Sequence, residues 1–244
     1  IVKTLEECNI PSVQLAPTGR AAKVLCNYTQ KTASTIHKKI YKQTIIGGFP
    51  KFQLHYNNTP KAVFIVDEAS MLANQPGEQS IFGSGLLFHD LIDFVFTKTH
   101  CKLILVGDTA QLPPIGLNTS PALDVQYIQH TFLKTCHIAQ LQEVVRQAEE
   151  SGILQNATRI RKHIDNNSIH FPKLTTTYND TIAIQGADLL EHLEKSYNTK
   201  GIENTIVITR SNKLANRYNQ GIRQNILWRD SEICAGDYIM IVKN

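Results

Sequence analysis

Ala62-Val63-Phe64-Ile65-Val66-Asp67-Glu68-Ala69-Ser70 runs five apolar residues, four of them β-branched or aromatic, directly into two adjacent carboxylates. An unbroken apolar run of this length fits a strand covered on both faces, as in a parallel α/β sheet; a half-exposed strand would alternate. Ligands of such sheets sit outside the carboxyl ends of the strands, where Asp67 and Glu68 emerge. Neighbouring carboxylates repel, and a magnesium ion carried by a nucleotide would relieve them. Equally, the pair could begin a solvated loop, so the rest of the chain has to decide.

Working outward, Lys102-Leu103-Ile104-Leu105-Val106 predicts a second apolar strand, ending in Gly107-Asp108-Thr109-Ala110-Gln111-Leu112-Pro113-Pro114. Two parallel strands with these ends would bring Gln111 towards the crevice of Asp67 and Glu68. Upstream, Ser12–Ala16 reads as a strand, followed by Pro17-Thr18-Gly19-Arg20 and a run of helix formers. A small-residue turn with a hydroxyl and a guanidinium at a helix head can grip a phosphate backbone, or Thr18 can be an ordinary helix cap. Thr32–Tyr41, with His37, Lys38 and Lys39, is a candidate second backbone contact, although a lone histidine is more often structural. Residues 43–58 predict a hairpin around Gly47-Gly48-Phe49-Pro50, and Leu86–Phe96 predicts a helix on the sheet.

The C-terminal part is read from periodicity. Ile153, Ala157, Ile160 and Ile164 fall at helical spacing as a core face, as do Leu189, Leu190, Leu193 and Tyr197. Thr205–Thr209 predicts a further strand, and Lys213 and Arg217 share a helix face that either tracks a backbone or is merely solvated. Residues 165–182 are polar and irregular.

Composition narrows the class. With 244 residues and 42% hydrophobic content, one or two soluble domains are expected. A net charge of +4 is mild, but residues 1–42 hold seven Lys or Arg against two Glu, while residues 60–120 hold three Lys against six acids. The early chain is thus suited to phosphate and the middle to metal. Five scattered cysteines, with no CxxC pair, suggest neither a zinc site nor a disulfide framework, and a reducing cytoplasm is the expected setting. No apolar run reaches membrane-spanning length.

Ala16–Ala22, Val66–Met71, Gly107–Pro114 and Glu143-Val144-Val145-Arg146-Gln147 occur in the order and spacing of the RecD-like and Dda-like DNA helicases of superfamily one, which the chain resembles along nearly its whole length. The resemblance implies an α/β fold of RecA-like P-loop NTPase parallel sheets in two incomplete domains. Residues 1–137 would form the first, with a small hairpin insertion at 43–58, and residues 138–244 the second, with the start of an SH3-like insertion at 235–244. It further implies ATP and magnesium as cofactors, single-stranded and forked DNA as partners, 5′-to-3′ movement, and a place in DNA repair or recombination. By the same resemblance Asp67 holds the magnesium, Glu68 activates the attacking water, Gln111 senses the γ-phosphate and Arg146 is an arginine finger. Pro17, Thr18, Gly19, Arg20, His37 and Lys38 are its DNA contacts.

One departure matters. Gly-x-x-x-x-Gly-Lys-Ser/Thr occurs nowhere in the chain. The family places that loop just before the helix with which this sequence opens, so the polypeptide reads as cut short of it and as incompetent in ATP hydrolysis by itself. Two alternatives remain: a non-catalytic nucleic-acid-binding module, or the motor of a relaxase or recombination nuclease complex.

Overall fold

The computed structural model describes residues 1–47, 49–75, 82–141, 151–166 and 168–239. The chain divides into two compact units, Ile1–Glu143 and Val144–Asn244.

In the first unit the elements run α1 (Val2–Glu7), β1 (Ser12–Ala16), α2 (Gly19–Thr29), β2 (Ala33–Thr35), α3 (Ile36–Ile40), β3 (Tyr41–Ile46), β4 (Phe49–Leu54), β5 (Val63–Val66), α4 (Leu87–Phe96), β6 (Lys102–Leu105) and α5 (Val125–Phe132). Four strands form one parallel sheet in the order β2-β1-β5-β6. All four residues of β5 are buried, as the unbroken apolar run requires of a strand covered on both faces. Phe64 and Val66 lie opposite Val13 and Leu15, which puts them on one face with α4. There Phe88, Leu91, Phe94 and Val95 are almost wholly buried, and Phe64 meets Phe94 edge to face at 6.0 Å. Burial of a side chain such as Phe64 contributes roughly 1.5–3 kcal/mol.

The predicted hairpin is present as β3 paired antiparallel with β4. Its base is tied down by aromatic packing: Phe52 stacks on Phe82 at 4.4 Å, and Gly83 donates its backbone N–H to Phe52 O at 2.7 Å. At the start of the chain Asn9 adopts φ +55 just after α1, and Ile1 and Cys8 are exposed.

The second unit contains α6 (Gly152–Asp165), α7 (Leu189–Lys200) and α8 (Asn212–Asn225) joined by extended segments. Two expectations fail here. Thr205–Thr209 is not a strand, and Ile206 and Ile208 are 76% and 88% exposed. No described residue of this unit forms a strand, so β-branching finds no neighbour to pair with. On α6, Ile153, Ala157, Ile160 and Ile164 are exposed, and the buried positions are Gly152 and Asn156. Asn156 takes over the role of a pairing strand, accepting from Thr175 N and donating to Thr175 O, both at 2.8 Å. A Cβ on Gly152 would lie 2.1 Å from Thr181 Oγ1, so only glycine permits this approach. In α7, Leu189, Leu193 and Tyr197 are half-buried as expected, but Leu190 is half exposed. Asp180 caps α6, accepting from Ser151 Oγ, Gly152 N and Ile153 N. These bonds, the Ser151 hydroxyl foremost, hold its carboxyl down at about 2.

Candidate active site and nucleic-acid interface

Because β2, β1, β5 and β6 are parallel, their carboxyl ends share one edge. Ala16 pairs with Thr35, Leu15 with Val66, and Val66 with Leu105. The segments that follow, Pro17–Arg20, Ile36–Lys38, Asp67–Glu68 and Gly107–Gln111, therefore emerge side by side. Here the sheet collects Pro17–Arg20, His37, Lys38, Asp67, Glu68 and Gln111.

Asp67 and Glu68 are half-buried. Asp67 donates its backbone N–H to Leu15 O at 2.9 Å, extending the pairing with β1, and its Oδ1 accepts from Glu68 N at 3.0 Å. Glu68 sits at φ 54, ψ 38, a left-handed conformation that costs a non-glycine residue of order 1 kcal/mol. The turn is enforced just beyond it. Ala69 N donates to Val106 O at 2.8 Å, and buried Ser120 places its Oγ 2.9 Å from Ala69 O and 2.8 Å from Leu72 O. Asp67 also lines a cavity of about 350 Å³ with Lys3, Tyr28, Ile65 and Val106.

The loop after β6 is fastened to the same turn. A Cβ on Gly107 would come within 2.8 Å of Ser70 N and 3.0 Å of Leu123 Cδ1, so this glycine lets the two strand ends touch. Asp108 Oδ1 accepts from Ala110 N at 2.9 Å and Asp108 O from Gln111 N at 3.1 Å, folding the loop back on itself. Gln111 is exposed. Gly107→Val should destabilise the first unit by about 1–3 kcal/mol through overpacking, read as a lowered denaturation midpoint. A midpoint equal to wild type would show that the close approach is dispensable.

On the phosphate side, Thr18 Oγ1 accepts from Ala21 N at 3.2 Å, so its hydroxyl caps α2, while Gly19 and Arg20 are exposed in the first turn. Lys38 is exposed. The His37 ring packs against Phe82 and Tyr41 at 5.0 and 5.8 Å, and burial lowers its pKa, so it is neutral near pH 7 and Lys38 carries the charge of this segment. Arg146, with Glu143 and Gln147, lies outside the described residues.

Do these residues fit a metal and a nucleotide? Among the described residues no group of three or more His, Cys, Asp or Glu forms a cage. One or two carboxylates at a cavity edge suit magnesium that arrives with phosphates, so Asp67 fits that ion. Among the 244 residues there is no glycine-rich lysine loop to cradle the phosphates themselves.

Sequence reasoning missed Ser120, which is 3% exposed, and Asp90, which is 5% exposed and accepts from Tyr41 and Ser84. For Asp90 a signal existed: it stands four residues before the buried Phe94, on the core face of an apolar helix.

Residues 1–117 match the AAA domain family. Over 144 residues the chain is 32% identical to the ATP-dependent RecD2 DNA helicase of Deinococcus radiodurans. The family match lies within the first unit. That alignment takes in 58% of this chain and 16% of the relative, so the chain spans about a sixth of the length of the curated protein it matches. The matched unit is α/β with a parallel sheet, as the Val63–Val66 run required. Among the described residues no helix is long and apolar enough to cross a membrane.

Proposed function

We propose that this chain belongs to an ATP-dependent DNA helicase that moves 5′ to 3′ along single-stranded DNA and opens forks. The observation that carries the reading is the shared edge of the parallel sheet, where an Asp-Glu pair, a Gly-Asp-x-x-Gln loop and the Thr18–Arg20 helix head emerge from neighbouring strands. Asp67 would hold magnesium, which screens phosphate charge when nucleotide is bound. Glu68 would orient the attacking water and accept its proton, and Gln111 would link the nucleotide to the DNA-facing segments. Arg146 would serve as the arginine finger. The hairpin β3–β4 would meet the duplex. Gly19, Arg20 and Lys38 would follow the DNA backbone.

The polypeptide of 244 residues holds no Gly-x-x-x-x-Gly-Lys-Ser/Thr, and by itself it should bind DNA without hydrolysing ATP. Robust DNA-stimulated hydrolysis by this polypeptide would contradict that. The full-length gene product decides the function: ATPase activity should rise with single-stranded DNA, and forks should open from a 5′ tail. Opening from a 3′ tail alone would overturn the polarity, and an ATPase indifferent to DNA would overturn the motor. A narrower check concerns Arg20. Arg20→Ala should reduce the slope of log affinity against log salt by about 0.7, the share of one phosphate on a single strand. An unchanged slope would assign Arg20 to structure.

A further inference from the structure

The second unit has a cavity of about 550 Å³ lined by Arg159, Lys162, His163, Asn166, Ser168 and His170, with Ile169 at its rim. Residues 159–173 carry four Lys or Arg and two His against one acid, Asp165. The wall is built by side chains that grip backbone. Asn156 makes its two bonds to Thr175 at 2.8 Å, and one turn on Arg159 Nη1 donates to Lys173 O at 2.6 Å and Thr175 Oγ1 at 2.8 Å. At the far end His163 Nδ1 lies 3.2 Å from His170 O; a carbonyl only accepts, so Nδ1 carries the proton. Lys162 belongs to the last turn of α6, so its charge lies over a cavity whose walls are fixed on both sides.

Next to the cations stand exposed apolar groups. Ile169 is 90% exposed and Phe171 97%. Pro172 biases Phe171 towards extended backbone, which suits a ring held out from the surface. A small anion would leave most of a cavity this size empty and would have no use for Phe171. An acidic peptide would meet the cations but would not call for a flat aromatic face. A single strand of nucleic acid uses both, phosphates in the cationic cavity and an unpaired base on the ring.

We propose that the Arg159–Lys162–His163–His170 cavity and Phe171 form a second single-strand site, separate from the strand-end segments of the first unit. The proposal rests on the DNA-motor reading. Phosphate charge sits against Arg159 and Lys162, and a base stacks on Phe171.

The test uses the 244-residue polypeptide and a fluorescent thymidine 12-mer, followed by anisotropy across a salt series. The double variant Lys162→Ala/Phe171→Ala should bind about tenfold more weakly, as expected for one lost stacking contact, with the salt slope reduced by about 0.7. Lys162→Arg should bind like wild type. Photo-cross-linking with 5-iodouracil in the oligonucleotide should label the peptide containing Phe171. Labelling confined to the peptide containing Pro17–Arg20 would overturn the second site and leave the motor reading standing. Labelling at Phe171, together with a full-length product whose ATPase ignores DNA, would do the reverse. Displacement by polyglutamate as effective as by unlabelled oligonucleotide at equal charge would reduce the cavity to a general polyanion surface and overturn the proposal, as would failure of the wild-type polypeptide to bind the 12-mer.

Discussion

Glu68→Gln in the full-length gene product is expected to lower DNA-stimulated ATP turnover by about 10²–10⁴-fold, the usual contribution of a positioned general base. The substitution keeps the length and planarity of the side chain and removes its charge and its ability to accept a proton. The backbone should not notice it. What fixes this turn is main-chain and neighbouring chemistry: Glu68 N to Asp67 Oδ1, Ala69 N to Val106 O, and Ser120 beneath. The left-handed φ of 54 is likewise paid for by those contacts and not by the carboxylate. Denaturation midpoints of the two proteins should therefore coincide, and nucleotide affinity should stay within a few-fold, because Asp67 and not Glu68 is assigned to the metal. Equilibrium nucleotide binding measured beside single-turnover hydrolysis separates these quantities. Turnover equal to wild type would remove Glu68 as the base. Loss of nucleotide binding to the same extent as turnover would move Glu68 to the metal instead.

How much of this was legible in the sequence depends on what each residue needed in order to be read. The parallel sheet could be read because Val63–Val66 and Leu103–Leu105 are short apolar runs ending in acid, a pattern that depends on burial alone. The αL turn at Glu68 could not, since it is imposed by Val106 and Ser120, distant in sequence, and no propensity of glutamate announces it. Of the two readings of Thr18 the helix cap is the one present: its hydroxyl is spent on α2, and Gly19 and Arg20 are exposed. In the second unit, periodicity misled. The apolar stripe of α6 is exposed because the helix is held through its polar face, by Asn156 and Arg159 against residues 173–175. A side chain that substitutes for a strand cannot be recognised until its partner is in place.

Asp90→Ala should cost the first unit about 3 kcal/mol, the scale of leaving buried donors without an acceptor. Asp90 is 5% exposed, and both carboxylate oxygens are engaged. Oδ2 accepts from Tyr41 OH at 2.6 Å and Ser84 N at 3.0 Å; Oδ1 accepts from Ser84 Oγ at 2.7 Å. Burial, and then the Asp90 bond, push the Tyr41 phenol far up, so it remains a donor throughout the stable pH range. Gly83, at φ +47, permits the approach, for a Cβ there would stand 2.0 Å from Asp90 Oδ2. Alanine strands three donors at once. Asparagine should cost less than alanine, because its oxygen at the Oδ2 position can still accept from Tyr41 OH and Ser84 N while its N–H donates to the Ser84 hydroxyl. Tyr41→Phe removes a single donor and should cost about 1 kcal/mol, and the double variant should lose less than the sum, since each change disables the same bond. Chemical denaturation gives these values; additivity within about 0.3 kcal/mol would show that Tyr41 and Asp90 act separately. The consequence reaches the hairpin. Tyr41 is the first residue of β3, and Phe82 beside Gly83 stacks on Phe52 of β4, so the carboxylate of α4 holds both strands at their base. In the full-length product Asp90→Ala should therefore lower fork opening more than DNA-stimulated ATP hydrolysis, since a hairpin that pivots at its root transmits less of each step to the duplex. Equal losses in both would show that the carboxylate stabilises the unit as a whole without positioning the hairpin.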